Sequence, residues 1–407
     1  MTLSGFVNMG SAQKKFHIYC RLLRIVYLYI YFLVFFLLIM MFPNNGVGFR
    51  ILFADNDSNR PCIIDLEKNP NEKFPNTEFI DIHYENFNQF SSNSYCMTPG
   101  ECIDDKDLNL TIRLMKMRNV LVTPTGMILS GGKFYLSIPR IFRYTEEFFN
   151  GTLPITHRFD KTFALMHSGM PVYGHFFIDF MAPLLLFPPE DIQSMHFIIN
   201  GYIRVYQKEG FKLFNISLSK VHCLDRKTLV YFKTVLLLEP WPHYFYSHIA
   251  YTKLYQFLHE KFKLDKNPPT KYYYYNRCRG GRGLVNQKAI IREFRDLYPD
   301  ISIELMPVYR SMKMNAKIHN SAKLVFQGFH GSGMANLFFM QKGTVYAEII
   351  TGLKTDIALR IAKSVGVNYV YSIIGTIEHF NKSNHFIPKN IYLPLLKKAF
   401  DCSTNVL

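Results

Sequence analysis

The sequence predicts an α/β protein with a parallel, Rossmann-type sheet in its carboxy-terminal part, and three observations carry this. From Lys271 onward, short apolar strands alternate with amphipathic helical stretches. The glycine-rich turn Gly331-Ser332-Gly333 stands between one such strand and the next helix. The 407 residues are 48% hydrophobic, 16% aromatic and 19% charged, which suits packed domains and excludes a disordered chain, a collagen-like repeat or a small disulfide scaffold.

The chain begins with a basic tail, residues 1–24, carrying Lys14, Lys15, Arg21 and Arg24 and no acid. Residues 25–42 follow, 18 in a row without charge or breaker. At a rise of about 1.5 Å per residue they nearly cross a hydrocarbon core of roughly 30 Å. The basic flank keeps the tail cytosolic, so 25–42 is expected to be an uncleaved signal anchor and everything after Pro43 lumenal. A cleaved signal peptide is the rival, but its apolar region runs to only about 7 to 15 residues.

Residues 43–111 are rich in Asn, Pro, Ser and acids and read as a stem merging into the first domain. That domain, 112–265, is expected to be Rossmann-like, with strands at 119–123, 126–129, 195–200 and 234–238 and helices at 175–187 and 247–262. The paired prolines of 265–270, DKNPPT, mark a linker. The second domain, 271–385, opens with a strand of tyrosines at 271–275. Asn286 is placed to cap a helix whose apolar side is Ile290, Ile291, Phe294, Leu297 and Tyr298. Then come a strand at 301–306, a helix at 311–319, a strand at 324–327, a helix at 334–340 and a strand at 344–349. Residues 386–407 form a carboxy-terminal helix or tail.

Cys20 lies on the cytosolic flank, so six of the seven cysteines are lumenal, enough for three disulfides whose pairing the sequence leaves open. Sequons at Asn56, Asn109, Asn150, Asn215 and Asn381 fit the same compartment. The formal net charge is +16, and residues 112–407 hold 38 bases against 19 acids, so the folded body suits an anionic partner. Nucleic acid is set aside, because the anchor orientation puts this basic body in the lumen.

In a parallel sheet, the strand that ends at Gly328 aims the N–H groups of the 331–333 turn at the edge where phosphates bind, with His330 and Ser332 as further donors. Arg277, Arg279 and Arg282 follow the preceding strand at the same edge, and guanidinium forks suit a diphosphate leaving group. Glu348, 18 residues after His330, closes the next strand, where a carboxylate can accept both hydroxyls of a ribose. Two Asp-x-Asp triplets, at Asp55 and Asp105, lie in a sequon and a charged loop, and no metal site is expected from them.

These residues resemble glycosyltransferase family 61. The likeness covers about 119–375 and is strongest over 272–348: the strand followed by Arg277, the Arg282 and Asn286 pair, HGSGMANLFFM in place of the family's HGAGLTNLLFM-like loop, and Glu348. Upstream, Gly174, His175 and Asp179 match its H-x-x-x-D segment, with Pro183 and Leu184 continuing the match. The resemblance implies a GT-B architecture, two Rossmann-type domains facing a cleft. It implies an inverting, metal-independent transfer from a UDP-sugar to a glycan or glycoprotein in the Golgi or endoplasmic reticulum, with no cofactor. It also implies donor contacts from Arg277, Arg279, Arg282, Asn286, His330, Gly331, Ser332, Gly333, Asn336 and Glu348. His175 and Asp179, one helical turn apart, are the candidates for the acceptor base, with Asp179 preferred in the positive field. The alternative is a membrane-anchored sugar-binding protein that retains the fold without turnover.

Overall fold

The four tyrosines of the strand Lys271–Tyr275 show how the molecule is layered. Side chains alternate across a strand. Tyr272 and Tyr274 therefore enter one core with Leu324 and Phe326, while Tyr273 enters a second with Val325 and Tyr346. A sheet buried on both faces is the signature of an all-parallel sheet covered by helices.

The computed structural model describes residues 63–65, 77–82, 92–98, 102–103, 112–124, 128–130, 133–136, 155–159, 162–163, 172–225, 228–238, 248–276, 283–307, 311–329, 331–351, 356–375 and 385–404. The expected tail and anchor, both Asp-x-Asp triplets and the sequons at Asn56, Asn109, Asn150 and Asn381 lie outside these. Among the described residues no helix is long and apolar enough to cross a membrane.

In chain order the strands are β1 (Ile63–Asp65), β2 (Thr77–Ile82), β3 (Ser94–Cys96), β4 (Ile112–Val122), β5 (Ile128–Ser130), β6 (Lys133–Leu136), β7 (Ile155–Phe159) and β8 (Thr162–Phe163). Then come β9 (Phe197–Asn200), β10 (Val221–Leu224), β11 (Leu229–Leu238), β12 (Lys271–Tyr275), β13 (Ile303–Leu305), β14 (Ala322–Phe329), β15 (Val345–Thr351) and β16 (Asn368–Ile374). The helices used below are α1 (Tyr173–His175), α2 (Pro189–Ser194), α3 (Val205–Leu213), α4 (His248–Phe262), α5 (Gln287–Leu297), α6 (Met312–Asn320), α7 (Ile357–Val365) and α8 (Lys389–Thr404).

The second half forms a parallel sheet of order β13-β12-β14-β15-β16, with β3 added parallel at the β16 edge. The chain steps from β12 to β13 on one side, then returns past β12 to β14. Right-handed crossovers put the connections on opposite faces when the direction reverses. Accordingly α5, with Ile290 and Phe294, joins α8 on the face of Tyr272 and Tyr274, whereas α6 and α7 join the face of Tyr273. The reversal leaves a crevice between β12 and β14 at their carboxyl ends. The apolar side expected for α5 is narrower than the sequence suggests: Ile290 and Phe294 are buried, but Leu297 is exposed.

The first half differs from expectation. Strand β4 pairs antiparallel with β2, β5 and β11, so the sheet over 63–238 is mixed, not doubly wound. Among the described residues there, β9, α3 and β10 make a parallel βαβ unit. Arg50–Leu407 groups as one compact unit. One core joins Phe176, Phe180, Phe211 and Leu254 to Phe338, Tyr346, Ile361 and Tyr369, across the expected linker. The linker itself is pinned: Asp265 bonds His259 and Asn320, and Gln341 donates to the Asn267 carbonyl at 2.7 Å. The segments 172–216 and 248–262 thus act as further helical cover for the parallel sheet, instead of forming the core of a second Rossmann domain.

Cys96 and Cys102 form a disulfide, while Cys223 and Cys402 are free thiols. Asn215, the sequon residue within the described part, is exposed at φ 56° just beyond α3, a conformation asparagine tolerates.

Candidate active site

A cavity of about 760 Å³ opens at the β12/β14 crevice. That volume suits a bound small molecule. Tyr275 ends β12, Phe329 ends β14, and Gly331, Ser332 and Gly333 follow it, while Met306 and Pro307 follow β13. Asn315 and His319 from α6 and Asn336 add polar groups, and Val172, Tyr173, Tyr202 and Arg204 to Tyr206 line the rest.

The glycine turn runs into a 3₁₀ helix, Ser332–Phe339, where the sequence suggested an α-helix at 334–340. Its residues from Met334 to Phe339 are all buried, and a segment apolar all round is placed by tertiary packing, not by its own amphipathic period. Close approaches explain the small residues. A Cβ on Gly333 would stand 2.5 Å from Gln327 Oε1, and Gln327 cannot swing away because its Nε2 donates to the Phe329 carbonyl at 3.0 Å in the buried interior. A Cβ on Gly174 would stand 3.2 Å from Ser332 Cα, so α1 lies directly against the turn. Tyr173 Oη donates to Asn336 Oδ1 at 2.7 Å, and burial holds this phenol well above its ordinary pKa.

Instead of one helix over 175–187, α1 passes into a π-helical stretch, Phe176–Met181, and then a short α-helical turn, Ala182–Leu184. Such π segments recur at functional sites. His175 Nδ1 and Asp179 Oδ2 are 2.6 Å apart, with side-chain exposures of 14% and 3%. An ionised carboxylate only accepts, so Nδ1 carries the proton and the imidazole is the outer member of the pair. Neither residue lines the cavity itself, whose wall reaches Tyr173 on the same turn.

Two predicted donor residues are placed elsewhere. Glu348 lies within β15 instead of at its end and is fully buried. Tyr369 Oη donates to its Oε1 at 2.6 Å and Tyr346 Oη to its Oε2 at 3.3 Å, so its carboxylate is held in the interior and is not part of the cavity lining. Asn286 does not cap α5 with its side chain. Its Nδ2 donates to the Ile387 carbonyl at 2.7 Å, fastening the segment before α8. Arg277, Arg279, Arg282 and His330 lie outside the described residues. Gly331, Ser332, Gly333 and Asn336 all line the cavity.

Asn315 and His319 escaped the sequence reading. The signal was present, since Met312, Asn315, Ala316 and His319 form one stripe of α6 with two polar residues on its buried side. Among the described residues no cluster of three His, Cys, Asp or Glu suits a metal ion.

Comparison with known proteins places this geometry. Residues 173–347 match the family model described as Glycosyltransferase 61, from the first residue of α1 to within β15. A curated relative, xylan glycosyltransferase MUCI21 of Arabidopsis thaliana, is 31% identical over 102 residues, which are 22% of this chain and 19% of the relative. The aligned part thus spans about a fifth of that relative's length. Residues 173–347, carrying the cavity wall, the glycine turn and the His175–Asp179 pair, are thus the part of the chain that is similar to glycosyltransferase family 61.

Proposed function

We propose that this protein transfers a sugar from a nucleotide-sugar donor, a UDP-sugar, to a glycan or glycoprotein acceptor in the secretory pathway. The observation that carries the reading is the cavity at the β12/β14 crevice, because a parallel sheet receives nucleotides where its strand order reverses. The family match over 173–347 encloses most of its lining.

In this reading the diphosphate lies against the Gly331–Gly333 turn, with Arg277, Arg279 and Arg282, which follow β12 in sequence, offsetting its charge without a metal. The acceptor oxygen attacks the anomeric carbon from the side opposite the diphosphate. The C–O bond to the diphosphate breaks, its electron pair leaves with the nucleotide, and the configuration inverts. His175 takes the acceptor proton and Asp179 orients it, the reverse of the sequence-based preference, because the carboxylate is the deeper of the two. The Cys96–Cys102 disulfide and the exposed sequon residue Asn215 support a lumenal body, held by an anchor at 25–42.

The test is a panel of UDP-sugars added to the purified full-length chain, with glycans including xylan oligosaccharides as acceptors. One donor is expected to raise Tm, since ligand at about 100 times Kd contributes about 2.7 kcal/mol, and to support transfer that survives chelator. Stabilisation without transfer would favour the sugar-binding alternative. No stabilisation by any donor overturns both.

A further inference from the structure

His319 lies on α6, only 5% exposed, yet on the wall of the cavity. Its Nδ1 is 2.8 Å from the Asn315 carbonyl oxygen, one turn earlier. A carbonyl accepts only, so Nδ1 carries the proton of the neutral ring and Nε2 keeps its lone pair. Burial lowers the imidazole from 6.5 to about 4, which keeps the ring neutral at the pH of any secretory compartment. In the same cavity lining, Asn336 commits Oδ1 to the Tyr173 hydroxyl, which leaves its Nδ2 as a donor. The wall therefore offers a fixed acceptor and a fixed donor, both uncharged. A phosphate oxygen would meet a lone pair at His319. A hydroxyl, which both donates and accepts, is the group that matches.

We propose that His319 is a ligand-binding residue whose Nε2 accepts a hydrogen bond from a hydroxyl of a sugar ring held in this cavity. The proposal rests on the transferase reading of the site and adds to it a residue that reads the sugar. The ring belongs either to the donor or to the acceptor, and the test separates the two.

The full-length chain is compared with His319→Leu, which removes the acceptor, and His319→Gln, whose carboxamide oxygen restores one. Titration with UDP and with UDP-xylose, and KM for acceptor at saturating donor, are measured for each. If the donor sugar is read, His319→Leu weakens UDP-xylose about tenfold and leaves UDP unchanged. If the acceptor is read, its KM rises about tenfold while donor affinity and donor hydrolysis hold. In either case His319→Gln recovers most of the loss. The proposal is overturned if a folded His319→Leu shows neither change, or if UDP alone weakens equally, which would put the contact on the nucleoside diphosphate and on neither the transferred sugar nor the acceptor. Should His319→Leu not fold, the ¹⁵N resonance of His319 Nε2 in the wild-type chain decides: it moves upfield on adding UDP-xylose or acceptor if the bond forms, and its standing still overturns the proposal. A wild-type chain that neither binds nor turns over nucleotide sugar removes the transferase reading as well, whereas an active wild type with an indifferent His319→Leu removes this proposal alone.

Discussion

His175 and Asp179 share one hydrogen bond, and in the proposed transfer the depth of each decides its role. An oriented base typically contributes about 100- to 10,000-fold to proton removal from a hydroxyl. His175→Ala is therefore expected to lower kcat at least about 100-fold with donor affinity near wild type, measured by steady-state kinetics and calorimetry. Asp179→Asn is expected to fall less steeply, because the imidazole loses its orientation but not its basic nitrogen. The opposite ranking would restore Asp179 as the base. Glu348 is a different case, since its carboxylate holds two buried phenols. Glu348→Ala orphans both hydroxyls in the interior, so thermal denaturation should show a loss of about 2 to 4 kcal/mol. An unchanged melting curve with weakened UDP binding would return Glu348 to the donor site. The sequence revealed Glu348 as a strand residue near a glycine turn. It did not reveal which way the side chain points, because a one-residue difference in where the strand ends inverts that answer.

Elements with a strong local signal were legible: β12 lies where its run of tyrosines placed it, α4 within one residue of expectation, and β14 and β15 within two residues at each end. The π stretch Phe176–Met181 and the 3₁₀ helix Ser332–Phe339 were not, since both are nearly all apolar and carry no period to read. The mixed first sheet was illegible for another reason: β4 pairs with β11 across more than a hundred residues, and no local pattern specifies such partners. Helix α6 supplies a pH prediction. The folded His319 binds its proton about two and a half units below its ordinary value, so between pH 4 and 6.5 the unfolded chain holds more protons than the folded one. Stability therefore rises with pH through that window, is fully present above about 6.5, and falls by up to about 3 kcal/mol towards pH 4. His196 and His222, whose rings share a 2.9 Å hydrogen bond beside β9 and β10, are lowered by burial as well and add in the same direction. Urea midpoints across this range check it: the slope should shrink in His319→Gln, and an unchanged slope would assign the acid sensitivity elsewhere.

At the scale of the whole molecule, the paired prolines of 265–270 read as a linker, and the packing pins that linker to both of its flanks. Glu209 on α3 accepts the Met312 N–H at the start of α6, and Thr252 on α4 donates to the Ser364 carbonyl of α7 at 2.8 Å. Phe177 stacks near Phe338 at 6.3 Å and meets Phe339 edge-on at 5.6 Å, in the core that unites both sides of the turn. Domains that fold separately have their own cores and meet through modest interfaces. Here the helices of the first half and the parallel sheet of the second would each expose that shared core if parted. Denaturant unfolding should then be a single transition, coincident by far-ultraviolet circular dichroism and by tyrosine fluorescence, with no intermediate that retains half the signal. A cut placed at the turn tests the same point from the other side. Proteolysis there should leave a nicked chain whose fragments stay associated and separate only under denaturing conditions, because what holds them is the buried Phe and Tyr surface and not the peptide link. Two fragments that part in native buffer, each with its own melting transition, would restore two independent lobes and with them a cleft able to open and close.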